Sequence, residues 1–177
     1  YAIWADATHV YVTNNGSSNV TCIKRSDNTT TTITAGTTPT AIWGDTTHVY
    51  VANQGSSNVT CINRSDNTTT TITTGNTPWA IWGDATHVYV ANYNSNNVTC
   101  INRSDNTATT IAAGSTPRAI WGDATHVYVA NSGSANVTCI KRSDNTKTTI
   151  TAGTTPVAIW GDATHVYVAN QSSSNVT

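Results

Sequence analysis

One stretch of thirteen residues, Ala80-Ile-Trp-Gly-Asp-Ala-Thr-His-Val-Tyr-Val-Ala-Asn92, occurs five times in the chain with small changes. The copies start at Ala2, Ala41, Ala80, Ala119 and Ala158, so each begins 39 residues after the last. A fixed period of about 20 to 50 residues is typical of repeat architectures, in which each repeat buries its apolar surface against its neighbours. The period therefore constrains the fold more than any single residue does.

Each full repeat divides into four strand-length pieces, which the second copy illustrates. Apolar or β-branched runs at 40–44, 48–53, 58–64 and 68–73 are separated by turns rich in Gly, Asn, Asp, Ser and Pro. The chain contains no Leu, Met or Glu, which are strong helix formers, whereas Val, Ile, Thr, Tyr and Trp, which favour strands, are abundant. These patterns predict an all-β chain built from four-stranded units.

The apolar content falls steadily from the first strand of a repeat to the fourth. The first two strands are apolar on both faces, as in Ile42-Trp43 and Val49-Tyr50-Val51, whereas the fourth offers only Ile72 among threonines. Strands that are covered on both faces have such continuous apolar runs. A β-propeller of 39-residue four-stranded blades would produce this gradient, because its sheets pack radially around an axis. We predict about five blades with an incomplete fifth; a β-solenoid and a fragment of a larger propeller are the alternatives.

A chain of 177 residues is long enough for a single domain, which we place at 1–177. Its repeats are 1–39, 40–78, 79–117 and 118–156, followed by a half repeat at 157–177 for which we predict only the two inner strands. The second of these would then be an exposed edge, offering Val166, Tyr167 and Val168 to a partner by strand addition. Because the chain starts within the repeated motif, we expect a mature or excised piece.

Charge and cysteine placement exclude several classes of function. A net charge of −1 gives no electrostatic basis for binding nucleic acid, and no apolar run is long enough to span a membrane. The four cysteines occupy one equivalent position, in Val-Thr-Cys-Ile (Cys22, Cys61, Cys100, Cys139). Packed sheets lie about 10 Å apart, whereas a disulfide needs Cα atoms within about 7 Å. We therefore predict four free, buried thiols and no zinc site.

Asp and His recur with the same spacing in every copy (Asp6/His9, Asp45/His48, Asp84/His87, Asp123/His126, Asp162/His165). A metal or acid–base ring would need such residue types, but so would a β-turn in which Asp accepts backbone N–H groups. Symmetry repeats the pair without bringing the copies within coordination distance. We therefore predict turns, with no metal and no cofactor.

Arginine and tryptophan form two further repeated sets. Each Arg is followed two residues later by Asp, which predicts a solvated hairpin tip with local pairing rather than an anion-binding surface (Arg25, Arg64, Arg103, Arg142). The repeated Trp lies on the strand predicted to be innermost, which favours packing between sheets over an exposed sugar platform (Trp4, Trp43, Trp82, Trp121, Trp160).

The repeats differ most at two positions. One is the residue after Pro (Tyr1, Thr40, Trp79, Arg118, Val157), and the other opens the loop after the second strand (Asn15, Gln54, Tyr93, Ser132, Gln171). In an up-and-down four-stranded blade both lie on the same side of the ring. Aromatic and Arg side chains are favoured at binding hot spots. We therefore predict a ligand- or partner-binding face with Tyr1, Trp79, Tyr93, Arg118 and Gln54; neutral drift in exposed loops is the alternative explanation.

The motif Val10-Tyr-Val-Thr-Asn14, followed by Asn15-Gly-Ser-Ser-Asn-Val20, resembles the repeat of the YVTN family of β-propellers. The copies Tyr50–Asn53 and Tyr128–Asn131 match a common variant of that repeat, and the resemblance covers the whole chain. The Trp in Ile-Trp-Gly-Asp and the third-strand Cys depart from the family pattern. The resemblance implies an extracellular or cell-surface protein, as in microbial surface layers.

These observations favour a non-catalytic extracellular structural or assembly propeller that self-associates or binds another surface protein. A lectin-like propeller that binds glycans, and an artificial consensus scaffold without a ligand, are the alternatives. We do not expect an enzyme, because positions copied five times supply no nucleophile–base pair and no mixed carboxylate site.

Overall fold

The computed structural model describes all 177 residues. The chain forms five antiparallel sheets with up-and-down strand order and one short 3-10 helix, Asn15–Ser17. The predicted all-β, propeller-type fold of repeated four-stranded sheets is therefore confirmed.

The strands follow the repeats. Sheet 1 contains β1 (Ile3–Ala5), β2 (His9–Asn14), β3 (Asn19–Lys24) and β4 (Thr30–Thr34). Sheet 2 contains β5 (Pro39–Gly44), β6 (His48–Asn53), β7 (Asn58–Asn63) and β8 (Thr69–Thr73). Sheet 3 contains β9 (Pro78–Gly83), β10 (His87–Asn92), β11 (Asn97–Asn102) and β12 (Ala108–Ala112). Sheet 4 contains β13 (Pro117–Gly122), β14 (His126–Asn131), β15 (Asn136–Lys141) and β16 (Lys147–Thr151). Sheet 5 contains β17 (Pro156–Gly161), β18 (Val166–Asn170) and β19 (Asn175–Val176).

The sheets are arranged with their first strands together. β5 packs against β9, β9 against β13, and β13 against β17. The middle strands β6 and β7 are almost entirely buried, whereas β8 exposes every residue except Ile72. The predicted gradient is confirmed, because the tryptophan strands face one another and the threonine strands face solvent.

Each sheet has two different faces. The cross-strand register places Trp43, Tyr50 and Cys61 on one face of sheet 2, which we call its tryptophan face. This face packs against Ile81, Val88, Val90 and Ile101 of sheet 3, which belong to the isoleucine face of that sheet. Sheets 1 and 2 and sheets 3 and 4 meet through the same set of positions. We call each such contact a junction, and it always joins the tryptophan face of one sheet to the isoleucine face of the next.

Glycine is needed at the junctions for space rather than for backbone conformation. No glycine has a positive φ angle. A Cβ added to Gly83 would lie 2.9 Å from the indole of Trp43, and one added to Gly122 would lie 2.7 Å from the indole of Trp82. The predicted packing of tryptophan between sheets is confirmed for Trp4, Trp43, Trp82 and Trp121, each of which rests on the Gly of the next sheet, whereas Trp160 is 61% exposed.

The arc of five sheets is open, because sheet 1 does not pack against sheet 5. The isoleucine face of sheet 1 and the tryptophan face of sheet 5 are therefore uncovered. Side chains whose equivalents are buried or half-buried in the other sheets are exposed on these two faces: Ile3 is 66%, Trp160 61% and Tyr167 42% exposed.

The prediction of only two strands in the last repeat was wrong. β19 pairs with the end of β18 through Ala169–Val176 and Asn170–Asn175. The backbone of Val168 adds two hydrogen bonds to Thr177, of 2.9 and 3.0 Å. Val168 is therefore buried and paired, and only Val166 and Tyr167 remain as unpaired edge on that side. The run Asn175-Val176-Thr177 has the register of a third strand. Asn170 Nδ2 donates to Asn175 Oδ1 and Thr177 Oγ1, as the equivalent Asn does in the other sheets.

All four cysteines are free and buried, as predicted. Each lies on the third strand of its sheet, on the tryptophan face, where it acts as a small apolar side chain. None of the helical segments has the length and hydrophobicity needed to cross a bilayer.

Candidate functional site

The two variable sets lie on one side of the sheets, as predicted. The backbone N–H of Gln54, in the loop after β6, donates to Thr38 O (2.9 Å), just before β5. In the next repeat, Asn94 Nδ2 donates to Thr77 Oγ1 (2.7 Å). The loop after the second strand thus touches the segment before the first. We call this surface the variable rim; its residues are Tyr1, Thr40, Trp79, Arg118, Val157, Asn15, Gln54, Tyr93, Ser132 and Gln171.

The variable residue after Pro sits at a β-bulge in sheets 2 to 5. In sheet 2 the pairing jumps from Pro39–Asn53 to Ala41–Ala52 and leaves Thr40 unpaired. A bulge re-aims the side chain that it carries. Thr40 Oγ1 lies 3.3 Å from both Ala52 O and Pro78 O, so this position points toward the neighbouring sheet. The fold therefore holds one variable side chain per sheet at the inner end of the rim.

Trp79 and Tyr93 form the one aromatic pair of the variable rim. Their ring centroids are 5.5 Å apart with the planes tilted by 39°, and both side chains are half-buried. The residue before Pro78 is Thr77, whose φ of 59° is uncommon for a β-branched residue. Thr38, Thr116 and Thr155 have the same conformation, with φ angles of 55°, 51° and 57°, so it belongs to the turn before the first strand of sheets 2 to 5.

The other predicted rim residues are more dispersed. Arg118 lines a shallow depression with Val157 and Gln171. Tyr1 is 75% exposed, and its terminal amine donates to Thr13 O (2.8 Å). Gln54 is half-buried in the loop after β6. The structure thus joins Trp79 to Tyr93, whereas Tyr1 makes no ring contact with either.

The repeated Asp and His lie at the opposite rim and form turns, as predicted. Asp45 Oδ1 accepts hydrogen bonds from the backbone N–H groups of Thr47 (2.8 Å) and His48 (2.9 Å), and from Thr47 Oγ1 (2.9 Å). His48 Nδ1 lies 3.0 Å from the same hydroxyl. No three His, Cys or Asp side chains come together in a group that could hold a metal ion.

The prediction that each Arg pairs with the Asp two residues later was wrong. Arg64 Nη2 lies 2.6 Å from Asp6 Oδ2, a carboxylate of the preceding sheet, and Arg103 and Arg142 pair in the same way with Asp45 and Asp84. These guanidinium groups are largely buried and also lie over the preceding sheet's indole, Arg64 at 5.2 Å from Trp4 and Arg103 at 5.5 Å from Trp43. The Asp two residues on caps its own turn, as Asp66 does for Thr68. The sequence spacing missed this contact because its partners are 58 residues apart.

These contacts lower the pKa of the junction carboxylates. Burial alone would raise the pKa of Asp45, but the hydrogen bonds from His48 and Thr47 and the charge of Arg103 lower it below 3.8. Burial opposes the hydrogen bonds from Thr86 and His87 and the charge of Arg142 in the same way at Asp84, whose pKa is also lowered. The Arg–Asp pair thus stays ionised at neutral pH and links sheet 1 to sheet 2, sheet 2 to sheet 3 and sheet 3 to sheet 4.

The two ends of the arc carry unpaired halves of this contact, and Asp123 of sheet 4 also has no Arg partner because sheet 5 contains no Arg. Arg25 of sheet 1 is exposed, and its guanidinium donates only to the backbone carbonyl of Asp6, in its own sheet (2.6 Å). At the other end, Asp162 forms its turn with Thr164 and His165 but has no Arg partner. Beside it, the ring centroids of Trp160 and Tyr167 are 6.2 Å apart with an interplanar angle of 19°. The ends are therefore chemically complementary.

Comparison with known proteins supports the fold. No family model and no curated protein matches the chain. Among the solved structures that match are hydrazine synthase from Kuenenia stuttgartiensis (TM-score 0.77, 19% identity, 95% of this chain and 54% of that one) and a functionally unknown protein from Desulfotomaculum acetoxidans (TM-score 0.75, 14% identity, 99% and 66%). A candidate 6-phosphogluconolactonase from Bacteroides uniformis also matches (TM-score 0.75, 11% identity, 98% and 64%). The chain thus spans about half to two thirds of the length of these structures.

Proposed function

We propose that the chain is a non-catalytic structural module whose ends join it to further sheets of the same kind. The observation that carries this proposal is that the two uncovered faces are the two halves of the junction found inside the arc. Ile3 and Arg25 belong to one half, and Trp160 and Asp162 to the other. Exposed apolar sheet faces of this kind mark interaction surfaces.

The resemblance to YVTN propellers is the support for proposing that such a module acts outside the cell or on its surface, in a surface layer or filament. Self-association, or contact with another surface protein, is the activity that suits this role. A catalytic role receives no support from the polar groups of the repeats, because Asp45 and its equivalents are used in turns and Arg103 and its equivalents in junctions. Two of the structural neighbours carry enzyme names, but their identity of 11–19% concerns the fold alone.

Sedimentation equilibrium over a range of concentrations tests the proposal. We expect the chain to form species larger than a monomer, and we expect Trp160→Ser to weaken this association because it removes the largest exposed ring at the open end. The matched control is Trp79→Ser, which removes an indole from the variable rim. A chain that remains monomeric at every concentration would contradict the proposed function and would favour an isolated scaffold.

A second candidate function is glycan binding, which the Trp79–Tyr93 pair favours. Aromatic faces stack on sugar rings, and neighbouring Asn side chains such as Asn94 supply hydrogen bonds to hydroxyls. Binding on a glycan array that is lost in Trp79→Ala and Tyr93→Ala, but kept in Trp160→Ser, would support this function. An array on which the wild-type chain binds nothing would count against it.

A further inference from the structure

The junction between two sheets is built repeatedly in this molecule, so its requirements are visible. The tryptophan face contributes an indole, a tyrosine ring and an Asp carboxylate. The isoleucine face contributes Ile and Val side chains, a Gly seat for the indole, and an Arg that reaches back over the ring. Sheet 5 packs on sheet 4 without an Arg, so the full set of groups is present at the first three junctions. A surface that continues this pattern on the tryptophan face of sheet 5 offers the same groups again.

We propose that the occupant of the tryptophan face of sheet 5 is sheet 1 of a second copy of this chain. This inference rests on the proposed function and names the partner in it. Sheet 1 carries the required apolar residues at the junction positions, namely Ile3, Val10, Val12 and Ile23, and none of them is fully buried. The contact continues the established junction by one further sheet, across two molecules.

Charge complementarity fixes the register of this contact. Inside the arc, Arg64 of sheet 2 pairs with Asp6 and lies 5.2 Å from the Trp4 ring and 5.8 Å from the Tyr11 ring. By the same geometry, Arg25 of the second copy pairs with Asp162 and lies over Trp160 and Tyr167. Asp162 keeps its charge down to a pKa of about 2, because the hydrogen bonds from Thr164 and His165 stabilise the carboxylate.

The resulting contact is head-to-tail, because the two surfaces differ. A heterologous interface leaves one free copy of each surface after every addition, so it produces a ring where the rotation closes and an open filament where it does not. An arrangement in which Trp160 of one copy faces Trp160 of another would instead stop at the dimer and would leave Arg25 unused.

Residue 5 modulates the strength of this contact. Sheets 2 to 5 have Gly at the equivalent position (Gly44, Gly83, Gly122, Gly161), whereas sheet 1 has Ala5. A Cβ at those glycines would lie 2.6 to 3.1 Å from the indole that packs on them. The methyl group of Ala5 therefore displaces the incoming Trp160 ring and makes the contact between copies weaker than a junction inside the chain.

The test uses two variants that each block one surface. Arg25→Glu blocks the isoleucine face of sheet 1, and Trp160→Ser blocks the tryptophan face of sheet 5. Both side chains are exposed, so the circular dichroism spectra of the variants should match that of wild type. In sedimentation velocity we expect each variant alone to associate at least about tenfold more weakly than wild type, equivalent to about 1.4 kcal/mol. Mixed in equal amounts, they should form a species of two chains and nothing larger, since one intact surface of each kind remains.

Two further variants sharpen the test. Ala5→Gly should tighten wild-type association several-fold, because it restores the seat of the indole. Lys24→Glu is the matched control for Arg25→Glu, because it makes the same charge change at the adjacent residue. Lys24 pairs with Asp27 in its own turn (3.1 Å), so this variant should leave association unchanged.

The outcomes separate the inference from the proposed function. Assembly that persists in Arg25→Glu and in Trp160→Ser, or a mixture that does not form the two-chain species, would overturn the inference and leave the proposed function standing. Ala5→Gly that weakens association or leaves it unaltered would also overturn the docking geometry. A wild-type chain that shows no association would instead overturn the proposed function itself.

Discussion

Trp82 and Trp160 occupy the same position in their repeats but lie in different surroundings. Trp82 is half-buried in the junction of sheets 3 and 4, with Gly122 beneath its ring and Arg142 at 5.8 Å from it. Trp160 lies at the open end, where no sheet covers it and 61% of its surface is exposed. The comparison shows that the same repeated residues are packed between sheets inside the arc and accessible at its end.

The largest difference between the two positions should appear on truncation. We expect Trp82→Ala to lower the free energy of unfolding by about 2–4 kcal/mol, because it leaves a cavity in a packed junction. Trp160→Ala should change it by less than about 0.5 kcal/mol, as is usual for surface substitutions. Urea unfolding of both variants, at concentrations low enough to keep the chains monomeric, measures the difference. Equal losses would show that the two environments are alike.

The glycine seat should be nearly as sensitive. Gly122→Ala places a Cβ 2.7 Å from the Trp82 ring, and we expect this overpacking to destabilise the chain by about 1–3 kcal/mol. Gly16 is the matched control, because nothing lies within 4 Å of a Cβ added there. Thermal unfolding of Gly122→Ala and Gly16→Ala compares them. A Gly122→Ala chain as stable as wild type would mean that the indole does not rest on this residue.

The arginine contact should contribute less, and only inside the arc. Arg103→Gln removes a largely buried guanidinium from Asp45 and Trp43, and we expect a loss of about 1–2 kcal/mol, between the values for exposed and buried ion pairs. Arg25→Gln should have no measurable effect on a monomer, because Arg25 has no carboxylate partner. The two variants are compared by urea unfolding at neutral pH. A similar loss in both would contradict the contact between sheets.

The smallest expected effect is on the stability of the fold at acid pH. The pKa of Asp45 is below 3.8 in the folded chain, so its contribution to stability is complete above pH 3.8 and is lost as the pH falls through the lower, folded value. Arg103→Gln should raise the pKa of Asp45 toward 3.8, because it removes the Arg charge beside that carboxylate. The pKa of Asp162 should stay at about 2, because Asp162 has no Arg partner. NMR titration of the Asp carboxyl carbons checks both values. An Asp45 pKa that does not respond to the loss of Arg103 would contradict the pairing.

Much of the fold could be predicted from the sequence because it repeats. The period set the unit, turn residues set the strand ends to within about a residue of those observed, and the loss of apolar residues toward 68–73 placed the fourth strand outside. The free cysteines and the Asp turns followed from equivalence between copies, since atoms at equal positions of neighbouring sheets cannot meet.

What escaped prediction depends on contacts between different positions of neighbouring copies. Arg103 is closer in sequence to Asp105 than to Asp45, so local spacing favoured the wrong partner. The sheet geometry decides otherwise, because the Arg103 side chain lies across the Trp43 indole of the preceding sheet and there reaches Asp45 and Thr47 in the turn of that sheet. The third strand of the last repeat was missed although Asn175-Val176-Thr177 repeats Asn58-Val59-Thr60, because the Cys and Ile that complete the strand pattern in the other repeats are not present there.

The most direct test of the account is hydroxyl-radical footprinting of the wild-type chain, read by mass spectrometry at low and at high protein concentration. We expect Trp160 to be oxidised much faster than Trp82 in the monomer, and the rate at Trp160 to fall as the concentration rises while the rate at Trp82 stays constant. Equal rates at the two tryptophans, or a Trp160 rate that does not depend on concentration while larger species form, would contradict it.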